Sequence, residues 1–151
     1  MEDRYLFKAK RISDGEWVQG YLFDDGFENG RIFIGGLVIE KYNGTACDDW
    51  NVTGIDFCEV DPSTICQCTG LKDKKGKLIW ENDICDRKEE YPEIVKYNNG
   101  DWTLDYSYSK GKESGYCCCN LGFYALERKC VEVIGNIFDN PELLESEGQY
   151  D

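Results

Sequence analysis

The residues with the most obvious chemistry in this chain are its cysteines. There are nine among 151 residues, including Cys66-Gln67-Cys68, the run Cys117-Cys118-Cys119, and single thiols at Cys85 and Cys130. Thiolates hold zinc in tetrahedral sites and carry redox chemistry, so both readings need weighing. Four-thiolate zinc sites combine two knuckles with two to four residues between the cysteines. This sequence offers one C-x-C and one CCC instead, so structural zinc on Cys66, Cys68, Cys85, Cys117, Cys118, Cys119 and Cys130 ranks below packed, reduced thiols that behave as small apolar groups. A reactive thiol also needs an electropositive setting, whereas most of these cysteines stand among acidic or aromatic residues.

Histidine is absent, which removes the commonest general base and the dyads and zinc sites that depend on imidazole. Carboxylate pairs could act as acid and base, but with 30 acidic residues some pair is close by chance. No phosphate-cradling glycine motif occurs. The run Asp24, Asp25, Glu28 lacks the ligand order of a calcium loop and reads as a plain turn. No catalytic, cofactor-binding or metal-binding residue is therefore assigned, no cofactor is expected, and the reading is non-enzymatic.

Seventeen basic against 30 acidic residues leave a net charge of −13, the wrong sign for gripping a phosphate backbone. Direct nucleic-acid binding is not expected. The densest basic stretch, Lys72 to Lys77, is flanked by acids and reads as a solvated hairpin tip. No apolar run is long enough to span a membrane, and the N-terminal residues lack signal-peptide character, so a cytoplasmic location is expected, with reduced cysteines.

These groups need a scaffold, and the patterning specifies strands. Ten Tyr, seven Phe and four Trp stand in short runs broken by 16 glycines, a composition suited to strands and tight turns. A chain of this length buries about 68 to 70% of its unfolded surface. YLFKAKRI and EWVQGYLF flank Ser13-Asp14-Gly15 as a first hairpin, with Trp17, Tyr21 and Phe23 on one face. RIFI and LVIEKY, separated by Gly35-Gly36, read as a second tight hairpin. Asp61-Pro62 opens a turn, Asp73 and Gly76 shape another, and Glu81-Asn82-Asp83 a third, with Asn82 suited to positive φ.

EIVKYNNGDWTLDY is the clearest hairpin. An even loop on Asn99-Gly100 pairs Tyr97 with Trp102 and Val95 with Leu104. Residues 107 to 116 read as a mobile surface loop, CVEVIGNIFDN as the last strand, and Asn140-Pro141 as the cap and first position of a short helix. Residues 146–151 read as a disordered tail.

The segments KAKRISDGEWVQGYL, EVDPSTICQCTGLKDKKGKLIWENDI and VIGNIFDNPELL, in this order, resemble the YopX family of phage and prophage proteins. The matching blocks around these motifs cover roughly half the chain, leaving 24–58 and 107–129 as variable insertions. The resemblance implies a mainly β fold, an SH3-type barrel or roll with additional β-hairpins and a short C-terminal helix, and a prophage origin in a Gram-positive bacterium. It implies no particular reaction and no site residues. Cys66, Cys68 and Cys85 stand where the family shows glycine, an aromatic and an aliphatic residue, and Asn82 where it shows glycine.

The expected organisation is an N-terminal hairpin region over 1–58 with a variable insertion, a YopX-like barrel region over 59–145, and the tail. The functional expectation is an accessory protein of a prophage that contacts an unidentified host or phage protein through exposed aromatics and loops. Homo-oligomerisation stays open. One alternative is an acidic mimic of nucleic acid that occupies a host DNA-binding or restriction protein. Another is a cysteine-only zinc protein or small carboxylate-dependent enzyme.

Overall fold

The computed structural model describes residues 2–28, 30–42, 49–109 and 119–145, with backbone alone at 41, 42, 49 and 50. The expected disordered tail and most of the expected mobile loop, together with Cys117 and Cys118, lie outside these residues. Among the described residues the architecture is mainly β. It divides into two compact units, one from Tyr5 to Ile65 and one from Cys66 onward that also takes in the first four residues.

The first unit is an antiparallel meander of β1 (Phe7–Lys10), β2 (Trp17–Asp24), β3 (Ile32–Tyr42) and β4 (Asp49–Val60). The β1–β2 hairpin forms as the sequence predicts. Gly15 takes φ +73°, and Asp14 holds the turn by pairing with Arg11 at 2.8 Å and accepting from the Glu16 amide. Alternation decides the two faces. Ala9, Ile34 and Val60 are buried, with Phe7, Val18, Leu22, Ile32 and Ile65 packed on them. Cation–π and hydrophobic roles separate on β1, where Lys8 and Lys10 leave the core side and sit over the Trp17 ring, 4.8 and 5.4 Å from its centre.

Gly35-Gly36 does not turn the chain. Both glycines lie inside the single strand β3, with Gly35 opposite Tyr21 on β2 and Phe57 on β4. The reason is contact distance: a Cβ on Gly35 would stand 1.8 Å from the Asp56 carbonyl oxygen and 2.7 Å from the Phe57 Cα. Glycine is used here for close backbone approach, a role a strand pattern shares with turns. Residues 24–58 thus supply most of the long β3–β4 hairpin.

After a single 3₁₀ turn at Pro62–Thr64, capped by Asp61 accepting from the Ser63 amide at 3.0 Å, the second unit begins. It contains the hairpin of β5 (Cys66–Lys72) and β6 (Leu78–Trp80), and a five-stranded sheet of β7 (Asp83–Asp86), β8 (Glu93–Asn98), β9 (Asp101–Asp105), β10 (Cys119–Asn120) and β11 (Glu132–Asn136). The sheet order is β10-β9-β8-β7-β11. That ladder is open, so the structure shows an antiparallel, mainly β architecture and not a closed SH3-type barrel.

The β8–β9 hairpin has the predicted register, Val95 opposite Leu104 and Tyr97 opposite Trp102, around Asn99 and Gly100 with φ of 51° and 85°. Tyr97 and Trp102 meet edge to face with centres 5.1 Å apart. The core gathers Ile79, Cys85, Val95, Leu104, Leu121, Ala125 and Val131. NLGFYALERK, which has no clear strand or helix signal, provides β10 and then a π-helical turn at Phe123–Glu127 that buries Ala125. At the end, the helix α1 (Glu142–Glu145) follows Asn140-Pro141. The Asn140 side chain turns back and accepts from the Asn136 amide at 3.2 Å, so the expected cap residue closes the preceding turn.

Candidate interaction surface

The cysteines fall into separate roles. Cys66 and Cys68, two apart on β5, are both buried. Cys66 accepts a weak hydrogen bond from the Asn82 side chain at 3.7 Å, and Cys68 lies opposite Trp80. Cys85 belongs to the core, where burial, reinforced by the charges of Asp83 and Glu93, holds its thiol well above the ordinary range. Such a thiol is a poor nucleophile. Cys130 points to the Tyr124 carbonyl. Among the described residues no group of three or more histidine, cysteine or acidic side chains is arranged to hold a metal ion.

Cys119 has a setting the sequence hid. The Arg87 guanidinium, 32 residues away, donates to its Sγ at 3.2 Å. That guanidinium is itself committed: it pairs with Glu93 at 2.5 Å, with side chains only 7% and 1% exposed, and lies 4.1 Å from the centre of the Tyr124 ring. Burial works against its charge, but the hydrogen bond and charge of Glu93 outweigh it and raise the Arg87 pKa. The cluster ties β8 to the segment before it and to the π-helical turn.

The lysine-rich tip between β5 and β6 is not merely solvated. Asp73 is buried, and its Oδ1 accepts from the amides of Lys75 and Lys77, both at 2.9 Å. Its Oδ2 accepts from the Val133 amide on β11 at 3.0 Å, and the Lys74 amide donates to the Val131 carbonyl at 2.9 Å. Lys74 and Lys75 then pair with Glu132. The carboxyl of Glu132 is drawn down to about 2, first by the Lys75 hydrogen bond and then by that of Lys74. Turn chemistry and the last strand are thereby one structure.

The next turn is built the same way. Asn82 takes φ +68°, its amide donates to the Val95 carbonyl, and its carbonyl accepts from Ile137. Buried Asp83 accepts from the Trp80 amide at 2.8 Å. The acidic run at 24–28 is also turn chemistry, since Asp24 accepts from Gly26 and Asp25 from Phe27.

Among the described residues, the outward side of the first unit's sheet is largely apolar. On the sheet face opposite the first unit's core, direct cross-strand partners share a side. Phe23 stands opposite Phe33, Leu37 opposite Ile55, and Ile39 opposite Val52. Phe23 meets Phe57 edge to face at 4.6 Å. Tyr21 and Phe23 are partly exposed, while Leu37, Ile39, Val52 and Ile55 are 61%, 49%, 55% and 63% exposed. Single exposed apolar residues are ordinary, but a contiguous set on one face marks a contact surface. Glu59, opposite Phe33, is the acidic residue of this face and has Arg31 3.9 Å away. The aromatic face of β2 is legible in the sequence but its continuation on β3 and β4 is not, because Gly35-Gly36 has the pattern of a turn.

The fold and this surface define a mainly antiparallel β protein with two separate apolar cores and an exposed aliphatic sheet face. A family model, "YopX protein", matches residues 28–145, and the chain belongs to the YopX family. The match runs through most of 24–58 and all of 107–129, the stretches that the quoted motifs left outside. No curated protein matches the chain. A solved structure, the crystal structure of protein EF1440 from Enterococcus faecalis, is similar in fold: TM-score 0.50, 23% identity, covering 91% of this chain and 96% of that one. No helix among the described residues is long and apolar enough to cross a membrane.

Proposed function

We propose that this YopX-family chain is a prophage accessory protein of the bacterial cytoplasm that works by binding a host or phage protein, without catalysing a reaction. The observation that carries this reading is the exposed face of Leu37, Ile39, Val52 and Ile55 beside Tyr21 and Phe23. Charge depletion with aromatic and aliphatic enrichment is the composition of an interface centre. The arrangement also favours contact over charge mimicry. The carboxylates of Asp14, Asp61, Asp73, Asp86 and Asp105 accept from backbone amides two residues on, which is turn formation. On the side of fold, the docking of the β5–β6 tip onto β11 supports reading residues 59–145 as an SH3-type roll.

The test is affinity capture from bacterial lysate with the natural chain and with the double variant Leu37→Asp, Ile55→Asp. A partner held at high salt by the natural chain and lost by the variant supports the reading. Equal capture by both would overturn it, and a partner released by salt would favour the acidic mimic.

A further inference from the structure

The outward sheet face of the unit from Tyr5 to Ile65 carries a charge pattern that its apolar residues do not explain. Alternation and register put Lys8, Lys10, Trp17, Gln19, Tyr21 and Phe23 on that side of β1 and β2. None of them is acidic, in a chain of net charge −13. Lys8 and Lys10 share one ring, with Nζ atoms 4.8 and 5.4 Å from the centre of Trp17. Two like charges held over one ring repel, and an anion beside them relieves that repulsion. The ring positions the ammonium groups, and each carries three donors, so contact with a ring leaves it able to bind a carboxylate as well. At the far corner the carboxylate of Glu59 already has Arg31 3.9 Å away, and Arg31 has Asp25 at 4.0 Å. The face thus runs from cationic on β1 to aliphatic at Leu37, Ile39, Val52 and Ile55.

We infer, resting on the contact face proposed above, that its occupant is an extended acidic and apolar peptide segment of the partner protein. Apolar side chains of the segment cover Leu37 and Ile55, and its carboxylates meet Lys8 and Lys10. Charge complementarity selects the acidic end: at physiological salt charges act over about 8 Å, so the local ammonium pair outweighs the negative charge of the rest of the chain. The aliphatic end selects protein over single-stranded nucleic acid. Bases need successive aromatic rings to stack on, whereas leucine, isoleucine and valine reward burial of other apolar side chains. Strand geometry sets the spacing. From β1 over β2 to β3 is two strand spacings, about 10 Å, which an extended chain covers in about three residues. The acidic residues of the segment therefore stand about three positions from its apolar ones.

The test is selection from a phage-displayed library of random peptides on the full natural chain, on the charge-reversed variant Lys8→Glu, Lys10→Glu, and on Leu37→Asp, Ile55→Asp. The natural chain is expected to enrich peptides with Asp or Glu about three residues from an apolar pair. The charge-reversed variant is expected to enrich peptides with Lys or Arg at that place, a change of preference that an unfolded variant cannot show. A synthetic peptide from the natural-chain selection should bind the charge-reversed variant about tenfold more weakly, and should bind the natural chain more weakly as salt rises. Apolar peptides without acidic residues, or the same peptides on the natural and charge-reversed chains, overturn the proposal and leave the apolar contact face standing. Acidic peptides enriched equally by Leu37→Asp, Ile55→Asp overturn both readings, as does a natural chain that enriches nothing. A labelled oligothymidylate held by the natural chain and lost on charge reversal assigns the face to nucleic acid and overturns the peptide.

Discussion

The two units use their residues in opposite ways. The unit from Cys66 onward buries polar groups and gives each a polar partner: Asp73 takes three amides, Asp83 one, and Glu93 a guanidinium. The unit from Tyr5 to Ile65 packs a small core and leaves aliphatic side chains facing outward. Buried polar groups that are fully satisfied fix one arrangement of chain. Exposed apolar groups fix nothing in the monomer, and they become favourable only when something covers them. One region is thereby specified by internal contacts, and the other leaves an aliphatic face uncovered.

Breaking the internal contacts should have the largest effects. Glu93→Ala strands a buried guanidinium and is expected to cost about 3 to 5 kcal/mol in urea unfolding. Removing both partners with Arg87→Met, Glu93→Leu should cost less than the single change, which would confirm that the penalty comes from the orphaned charge. Asp73→Ala leaves three amides without their acceptor and should cost about 3 kcal/mol.

The same turn gives a signed pH dependence. Burial opposes ionisation of Asp73, but the amides of Val133, Lys77 and Lys75 more than offset it and hold its pKa below the ordinary value of 3.8. Glu132 is likewise lowered from 4.5 to about 2. Both carboxylates stabilise the fold above their unfolded pKa values, and that contribution is lost as pH falls through the folded ones. Stability of the natural chain should therefore decline between about pH 4.5 and 2, and Glu132→Gln should flatten that decline in urea titrations at stepped pH.

In the other unit the backbone is the sensitive point. Gly35→Val should separate β3 from β4 at a cost of about 3 kcal/mol, because its side chain would overlap the Asp56 carbonyl. The smallest effect on stability belongs to the outward face. Leu37→Asp, Ile55→Asp should shift unfolding by no more than about 0.5 kcal/mol per site while abolishing partner capture. A large loss of stability instead would mean that the face is part of the monomer's packing, and the contrast between the units would be gone.

Local sequence carried much of the fold. The Asp14-Gly15 and Asn99-Gly100 turns, the register of β8 with β9, the positive φ of Asn82 and the buried Cys66-Cys68 pair all follow from turn chemistry and two-residue alternation. Those are properties of neighbours in the chain. The candidate surface was half legible: β2 displayed its aromatics, but Gly35-Gly36 looks the same whether it turns a chain or lets two strands approach, and only the position of Asp56 and Phe57 decides.

The contacts that link distant residues were beyond reach of pattern. Asp73 was expected to shape its own turn and does, yet its second oxygen holds Val133, sixty residues on. Arg87 finds Cys119, and Asn140 turns to Asn136 instead of capping its helix. The sequence by itself determined most of the places where this chain bends, which residues alternate, and that its chemistry is poor in bases and rich in carboxylates. Tertiary structure alone decided which carboxylates are buried, which lysines are paired, and which apolar face is left in water, because each depends on what lies across a strand boundary and not on what lies next in the chain.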